Sequence, residues 1–363
     1  MTALISSLIR PCLPLLILLA MCLSSSATAQ SLPDRIDIHG YGFQDFLQTQ
    51  GNPYLGGDSR GTWDNNFLGL VLTATVDDRT KVWSQLETST TGTTHFTWFF
   101  VDYQFSDALS GHIGRVKLPL GFYNEFIDAK NLQVSMLEPS LYQDALDFTQ
   151  NAYQGVGIEY EQKLRLGHLS WELYAGNTYD PDPPANERDR GLLGARLTYT
   201  TRIDGLRFMI SAARVRDQTL STDEMTNEDR LMLSGEYVTD RLDFKAEYGL
   251  HTDGSAVVSA SGTPLGVRGE AYYGQLGYRL NAKWEPYLRY DYATTDMNHA
   301  DDPSYYQETV VVGIGYQISS NFIVRLEDHL NHGYALPVAS GEVVAGTGKI
   351  QWNLALAGVT FAF

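Results

Sequence analysis

The chain has 363 residues, 43% of them hydrophobic, and a formal net charge of −17 at pH 7. So acidic a chain does not gather nucleic acid or anionic lipid by bulk attraction, and no nucleic-acid partner is expected. Both cysteines, Cys12 and Cys22, lie close to the start, so a chain cleaved after residue 29 carries no thiol chemistry and no disulfide.

The first element is a leader. Arg10 precedes an apolar run from Cys12 to Leu23, which breaks into Ser24, Ser25 and Ser26 and then Ala27-Thr28-Ala29. This is the layout of a secretory signal peptide over 1–29, leaving 30–363 as the mature chain. The run is too short to cross a bilayer as a helix, which needs about 20 apolar residues. Met21 stands before Cys22 where a lipoprotein carries a small residue, which argues against lipid attachment there. Beyond the leader no apolar stretch is long enough for a membrane helix, yet the sequence is 12% aromatic with 22 tyrosines. Tyrosine suits a membrane boundary because its ring is apolar and its hydroxyl stays wet. Two homes remain open, a large soluble β-protein and a barrel in an outer membrane.

Alternation of apolar and polar residues predicts strands at about 35–48, 63–76, 80–91, 95–106, 109–118, 152–163, 166–177 and 191–202. It continues at about 205–216, 230–239, 241–252, 266–280, 283–293, 305–318, 321–331 and 350–363. In the fourth segment Phe99, Val101, Tyr103 and Phe105 oppose Asp102 and Gln104. In the ninth, Leu206, Phe208, Ile210 and Ala212 oppose Arg207 and Ser211, but Arg214 falls on the apolar face, at the membrane rim or after a bulge. The eleventh sets Leu242, Phe244, Ala246, Tyr248 and Leu250 against Asp243, Lys245 and Glu247. Links after even-numbered segments are short, such as Asp77-Asp78-Arg79 and Ser319-Ser320. Links after odd-numbered ones are mostly long and polar: 49–62, 119–151, 178–190, 217–229, 253–265, 294–304 and 332–349. The link after the third segment is the exception. A transmembrane barrel sorts its connections this way, with tight turns on the periplasmic rim and long loops outside. The expected fold is all-β, a 16-stranded antiparallel transmembrane barrel.

The chain closes on Ala355, Ala357, Val359, Phe361 and the terminal Phe363, an alternation similar to the C-terminal signal read by the barrel-assembly machinery. The stretch from Gly114 to Glu125, GRVKLPLGFYNE, resembles a motif of the broad group of Gram-negative porins related to the phosphate-selective type. His39-Gly40-Tyr41-Gly42-Phe43 resembles their opening strand, and Asn151 to Tyr160 the strand after their long third loop. The resemblance covers roughly 35–160 and implies a water-filled 16-stranded pore, commonly a homotrimer. Phosphate selectivity is not carried over, because the basic ladder on which it depends has no obvious counterpart in this acidic chain.

The third loop, 119–151, is rich in apolar residues, including Phe122, Tyr123, Phe126, Met136, Leu141 and Phe148. A long loop of this composition packs against something, and in a wide barrel the inner wall is available. The loop is therefore expected to fold inward as a constriction, with a lid over the mouth as the alternative. Arg115 and Lys117 share one strand face leading into it and are expected in the lumen, opposite Asp128, Glu138, Asp144 and Asp147. Rings of charge at a constriction set ion preference at close range, although the same contacts could simply hold the loop down. Arg196 and Arg207 are further lumen candidates, with Lys245, Arg289 and Arg325. The acids Glu159, Glu172, Glu236, Asp243, Glu247, Glu285, Asp291 and Glu327 share that side. Mixed signs suit small hydrophilic solutes or ions better than one defined anion. Gly155 and Gly157 mark either close approach of that loop or sharp curvature.

A barrel enzyme of phospholipase or protease type and a non-conducting structural or adhesin barrel are the rival readings. Asp328 and His329 are neighbours on a strand and project to opposite faces, and no G-x-S-x-G or H-E-x-x-H occurs. No enzyme activity, cofactor or metal is expected. Acidic outer loops could hold divalent cations bridging to lipopolysaccharide, or could simply keep the loops soluble.

Overall fold

The computed structural model describes residues 35–89, 93–143, 146, 148–149, 152–179, 187–258 and 264–363. The leader lies outside these residues. Sixteen antiparallel strands close into a barrel in which every strand pairs with its chain neighbours and the last pairs with the first. They are β1 (Ile36–Gln50), β2 (Asn66–Thr75), β3 (Thr80–Ser89), β4 (Thr94–Ser106), β5 (Leu109–Lys117), β6 (Ala152–Leu164), β7 (Gly167–Tyr179) and β8 (Glu187–Thr201). There follow β9 (Leu206–Thr219), β10 (Glu224–Val238), β11 (Leu242–Val258), β12 (Pro264–Tyr278), β13 (Trp284–Thr294), β14 (Tyr306–Ser319), β15 (Phe322–Gly333) and β16 (Gln351–Ala362). One short helix, α1 (Ala335–Ala339), lies between β15 and β16.

The two faces of the wall are inverted relative to a soluble protein. Ile113, Leu193, Leu288, Val312 and Leu326 are all more than half exposed, whereas Glu247, Arg289, Asp291 and Arg325 are at most 3% exposed. Lipid outside and a closed interior produce this inversion, and closure leaves no strand edge with unpaired backbone. The seam is finished by Gly40 N–H donating to the Phe363 carbonyl at 2.9 Å and Phe363 N–H to the Gly40 carbonyl at 2.8 Å.

Each link at one rim is short, among them 107–108, 165–166 and 320–321. The opposite rim carries the long connections 51–65, 118–151, 295–305 and 334–350. Three links expected to be long are shorter, at 180–186, 220–223 and 259–263. Strands β8 to β11 run beyond the apolar band, for instance with Glu224 paired to Thr219. Above that band both strand faces are polar, so pairing continues without the alternation that announces a strand. Register between β9 and β10 is continuous from Leu206 to Thr219. Arg214 is therefore on the outer face without a bulge, where its Nε lies 2.6 Å from Asp229 Oδ1.

The hydrophobic core sits inside the barrel. Leu118, Leu120, Met136, Leu141, Tyr142 and Phe148 of the third loop cluster with the wall residues Leu47, Met232, Tyr273, Trp352 and Leu354. Two other loops reach the same cluster through Tyr54 and Leu336.

The lumen and its inserted loop

The third loop leaves β5 at Lys117 and is bound to the wall along its length. Gly121 N–H donates to Ser211 Oγ on β9 at 3.0 Å. Phe122 N–H donates to Glu247 Oε1 on β11 at 2.7 Å. The hydroxyls of Tyr142 and Tyr273 donate to the other oxygen of Glu247, at 2.6 and 2.7 Å. Farther along, Met136 N–H donates to Glu327 on β15, which also accepts from Tyr287 on β13 at 2.6 Å. Arg289 donates Nη1 to Ser135 Oγ at 2.6 Å and to the Leu137 carbonyl at 2.7 Å. Arg325 donates Nη2 to the Gln133 carbonyl at 2.6 Å.

The pattern is a division of labour. Wall carboxylates accept the loop's amides, and wall guanidiniums satisfy its carbonyls. An irregular backbone buried away from water needs such partners. Charge-assisted bonds of this kind contribute about 1.5–3 kcal/mol each. Gly121 has φ +67°, and a Cβ there would lie 1.9 Å from the Tyr142 hydroxyl. Glycine is required at this bend on both counts.

The expected pair is split. Lys117 Nζ lies 2.6 Å from Asp128 Oδ2 in the loop, and Asp128 also accepts from Gln85 Nε2 at 3.1 Å. Burial pushes the Asp128 carboxyl up, but the Lys117 ammonium and the hydrogen bonds outweigh it and hold the group below its ordinary value. Arg115 is not in the lumen. It pairs in register with Phe99, an exposed outer-face residue, and its guanidinium lies 5.2 Å from that ring and 3.4 Å from the Tyr179 ring. It also donates to the Phe96 carbonyl at 2.6 Å. Inner positions of β5 are occupied by His112, whose Nε2 lies 2.6 Å from the Tyr153 hydroxyl, and by Gly114 and Val116. Charge on a strand face does not by itself mark the lumen: here cation–π contact with rim aromatics holds Arg115 outside.

The other candidates divide. Glu138 pairs with Lys130 within the loop, and its carbonyl accepts from Arg289 at 3.2 Å. Arg196 bridges Glu125 of the loop and Glu172 on β7, the latter at 2.7 Å. Arg207 pairs with Glu236 and lies 4.3 Å from the Phe122 ring. Asp144 and Asp147 lie outside the described residues. Gly155 and Gly157 do not meet the loop. A Cβ on Gly155 would approach the Ala175 carbonyl of β7 at 2.1 Å, and one on Gly157 would meet His112 at the same distance.

Alternation had placed Glu247, Arg289, Arg325 and Glu327 on the inner wall. Alternation does not reveal their role as loop anchors, since Phe122 and Glu247 are 125 residues apart. No local pattern encodes such a contact. Against β9 to β12 the loop leaves a chamber of about 310 Å³, with Phe122, Phe126 and Leu132 on one side and Arg207, Glu236, Asp243, Lys245 and Arg279 on the other. A larger groove of about 960 Å³, between Leu193, Ala212 and Leu231, lies on the outer wall and faces away from the lumen.

No known family profile matches this chain, and no curated protein does. Solved structures do. An anion-selective porin from Comamonas acidovorans is similar, with a TM-score of 0.63 at 11% identity over 90% of this chain and 99% of that one. The outer membrane channel DcaP of Acinetobacter baumannii gives 0.60 at 13%, covering 90% and 97%. OmpT, an outer membrane protein of Vibrio cholerae in a trimer form, gives 0.59 at 15%, covering 90% and 99%. At these identities the likeness is one of fold, a closed 16-stranded barrel of the outer-membrane porin type.

Proposed function

We propose that this chain is an outer-membrane porin, a water-filled channel for passive diffusion of small hydrophilic solutes or ions. One observation carries the reading. The wall is apolar outside and charged inside, and its lumen is narrowed by a loop anchored through wall carboxylates and guanidiniums. Residues 1–29 direct export, Phe363 engages the assembly machinery, and lipopolysaccharide surrounds the outer rim. The assembly is a homotrimer, which the trimer form of a structural neighbour supports.

No catalytic role is assigned. On the inner wall Glu327 is occupied by Met136, Tyr287 and His329, so this carboxylate–histidine pair is spent on holding the loop. The test is conductance in a planar bilayer after refolding in detergent. Stepwise, ohmic current supports the channel, and a sealed bilayer with correctly folded protein rejects it. Cross-linking in mild detergent should give a threefold species, and a clean monomer rejects the trimer alone.

A further inference from the structure

We propose that the chamber beneath the third loop is a subsite for a small zwitterion with an apolar side chain, the chemistry of a neutral amino acid. This rests on the channel reading and names the solute class that the channel holds best.

The loop buries nearly all of its large apolar side chains, with Leu118, Leu120 and Leu141 at 0% exposure, yet Phe126 is 42% and Leu132 62% exposed. Both line this chamber. They give it an apolar roof that no part of the protein covers among the described residues. The opposite wall is a checkerboard of charge, and the remaining cation of the lining, Arg279 just past β12, is already paired with Glu285 at 3.1 Å. Glu236 on β10 lies between its register partners Arg207 on β9 and Lys245 on β11. Asp243 follows two residues before Lys245 on the same face, with Oδ2 3.2 Å from the ammonium. Its other oxygen, Oδ1, has no hydrogen-bond partner although the residue is only 6% exposed. A buried acceptor without a donor costs free energy, and the residue that carries it lines the chamber.

Alternating signs select against simple ions. A lone anion drawn to Arg207 or Lys245 also meets Glu236, and a lone cation meets the reverse, so most of its attraction cancels. A molecule carrying both charges aligns each with its opposite. Its carboxylate sits by Arg207 and Lys245, its ammonium supplies the donor that Asp243 Oδ1 lacks, and its side chain lies on Phe126 and Leu132. At about 310 Å³ the space takes one small molecule and no polymer.

Single-channel current in potassium chloride first establishes that the pore conducts, which tests the channel reading separately. L-leucine, 4-methylpentanoate and 3-methylbutylamine are then added in turn, the latter two lacking one charge each. Leucine should interrupt the current at a concentration roughly tenfold below either truncated probe, the ratio expected for one lost charge-assisted hydrogen bond. Asp243→Asn should remove most of that advantage without weakening block by 4-methylpentanoate, because it frees the Lys245 ammonium from its partner. Equal block by all three probes, or no block by leucine in a conducting pore, overturns the subsite. If nothing conducts, equilibrium dialysis of radiolabelled leucine against the folded barrel decides. Saturable binding lost in Asp243→Asn upholds the subsite, and absence of binding to the wild-type barrel ends it.

Discussion

Glu247 on β11 accepts the backbone N–H of Phe122 at 2.7 Å, joining the third loop to a wall strand 125 residues farther along the chain. The same carboxylate takes two tyrosine hydroxyls, one from the loop and one from β12. It is therefore the point where three elements share one negative charge. Without it those donors are left without partners in a site closed to water.

Replacing Glu247 by alanine strands those three donors, at a cost of about 1–3 kcal/mol for each that finds no water. The barrel itself, held by its backbone ladder, is expected to form. Single-channel conductance should rise and become noisier, and the heat-induced shift on SDS gels should occur at a lower temperature. Glu247→Gln should fall between the two. A trace identical to wild type would show that the loop is fixed by other contacts.

Arg115 and Lys117 should separate in their effects although they are two residues apart. Arg115→Glu alters the outer face, so reversal potential should stay unchanged while the yield of inserted barrel falls, because the cation–π contacts with Phe99 and Tyr179 are replaced by a carboxylate against the negative faces of those rings. Lys117→Glu sets a like charge beside buried Asp128, a loss on the order of 3–5 kcal/mol when a buried pair is broken. The loop should then release and conductance should change. A shifted reversal potential in Arg115→Glu would put that side chain back in the lumen.

Acid should free the loop late. Asp128 has its carboxyl held below the ordinary value by Lys117 and Gln85. A group depressed in this way contributes stability above its unfolded pKa, near 3.9, and loses it as pH falls through the lower folded value. Conductance recorded from pH 7 downward should show no step attributable to this anchor until below about 4. Asp128→Asn should behave at neutral pH as wild type does in strong acid. A step at pH 5 that vanishes in Asp128→Asn would contradict the assignment.

Deleting Phe363 removes the pair of backbone bonds to Gly40 at the seam. The Phe363 ring is largely exposed and adds little packing. The deletion should lower the folded amount in cells far more than it lowers the heat resistance of whatever folds. Quantitative blotting of outer-membrane and periplasmic fractions measures the first, and gel shift the second. Normal insertion of the truncated chain would remove the assembly role from this residue.

What the sequence determined by itself was the wall. Two-residue alternation is local, so segments such as Leu242 to Leu250 carry their strand and their faces within a few residues. Length differences among the links then sort the two rims. Where both strand faces meet water, as in Arg216 and Asp217 paired to Asn227 and Thr226, the signal vanished and strands ran past their expected ends. The tertiary structure alone decided what the inside does. Arg115 and Lys117 have the same charge and adjacent same-parity positions, yet one meets Tyr179 of a strand after the loop and the other Asp128 within it. Likewise Glu247, Arg289 and Glu327 look like any lumen charges until the loop is laid across them. Side-chain partners in a barrel interior are chosen by where a distant segment comes to rest, and no spacing along the chain records that.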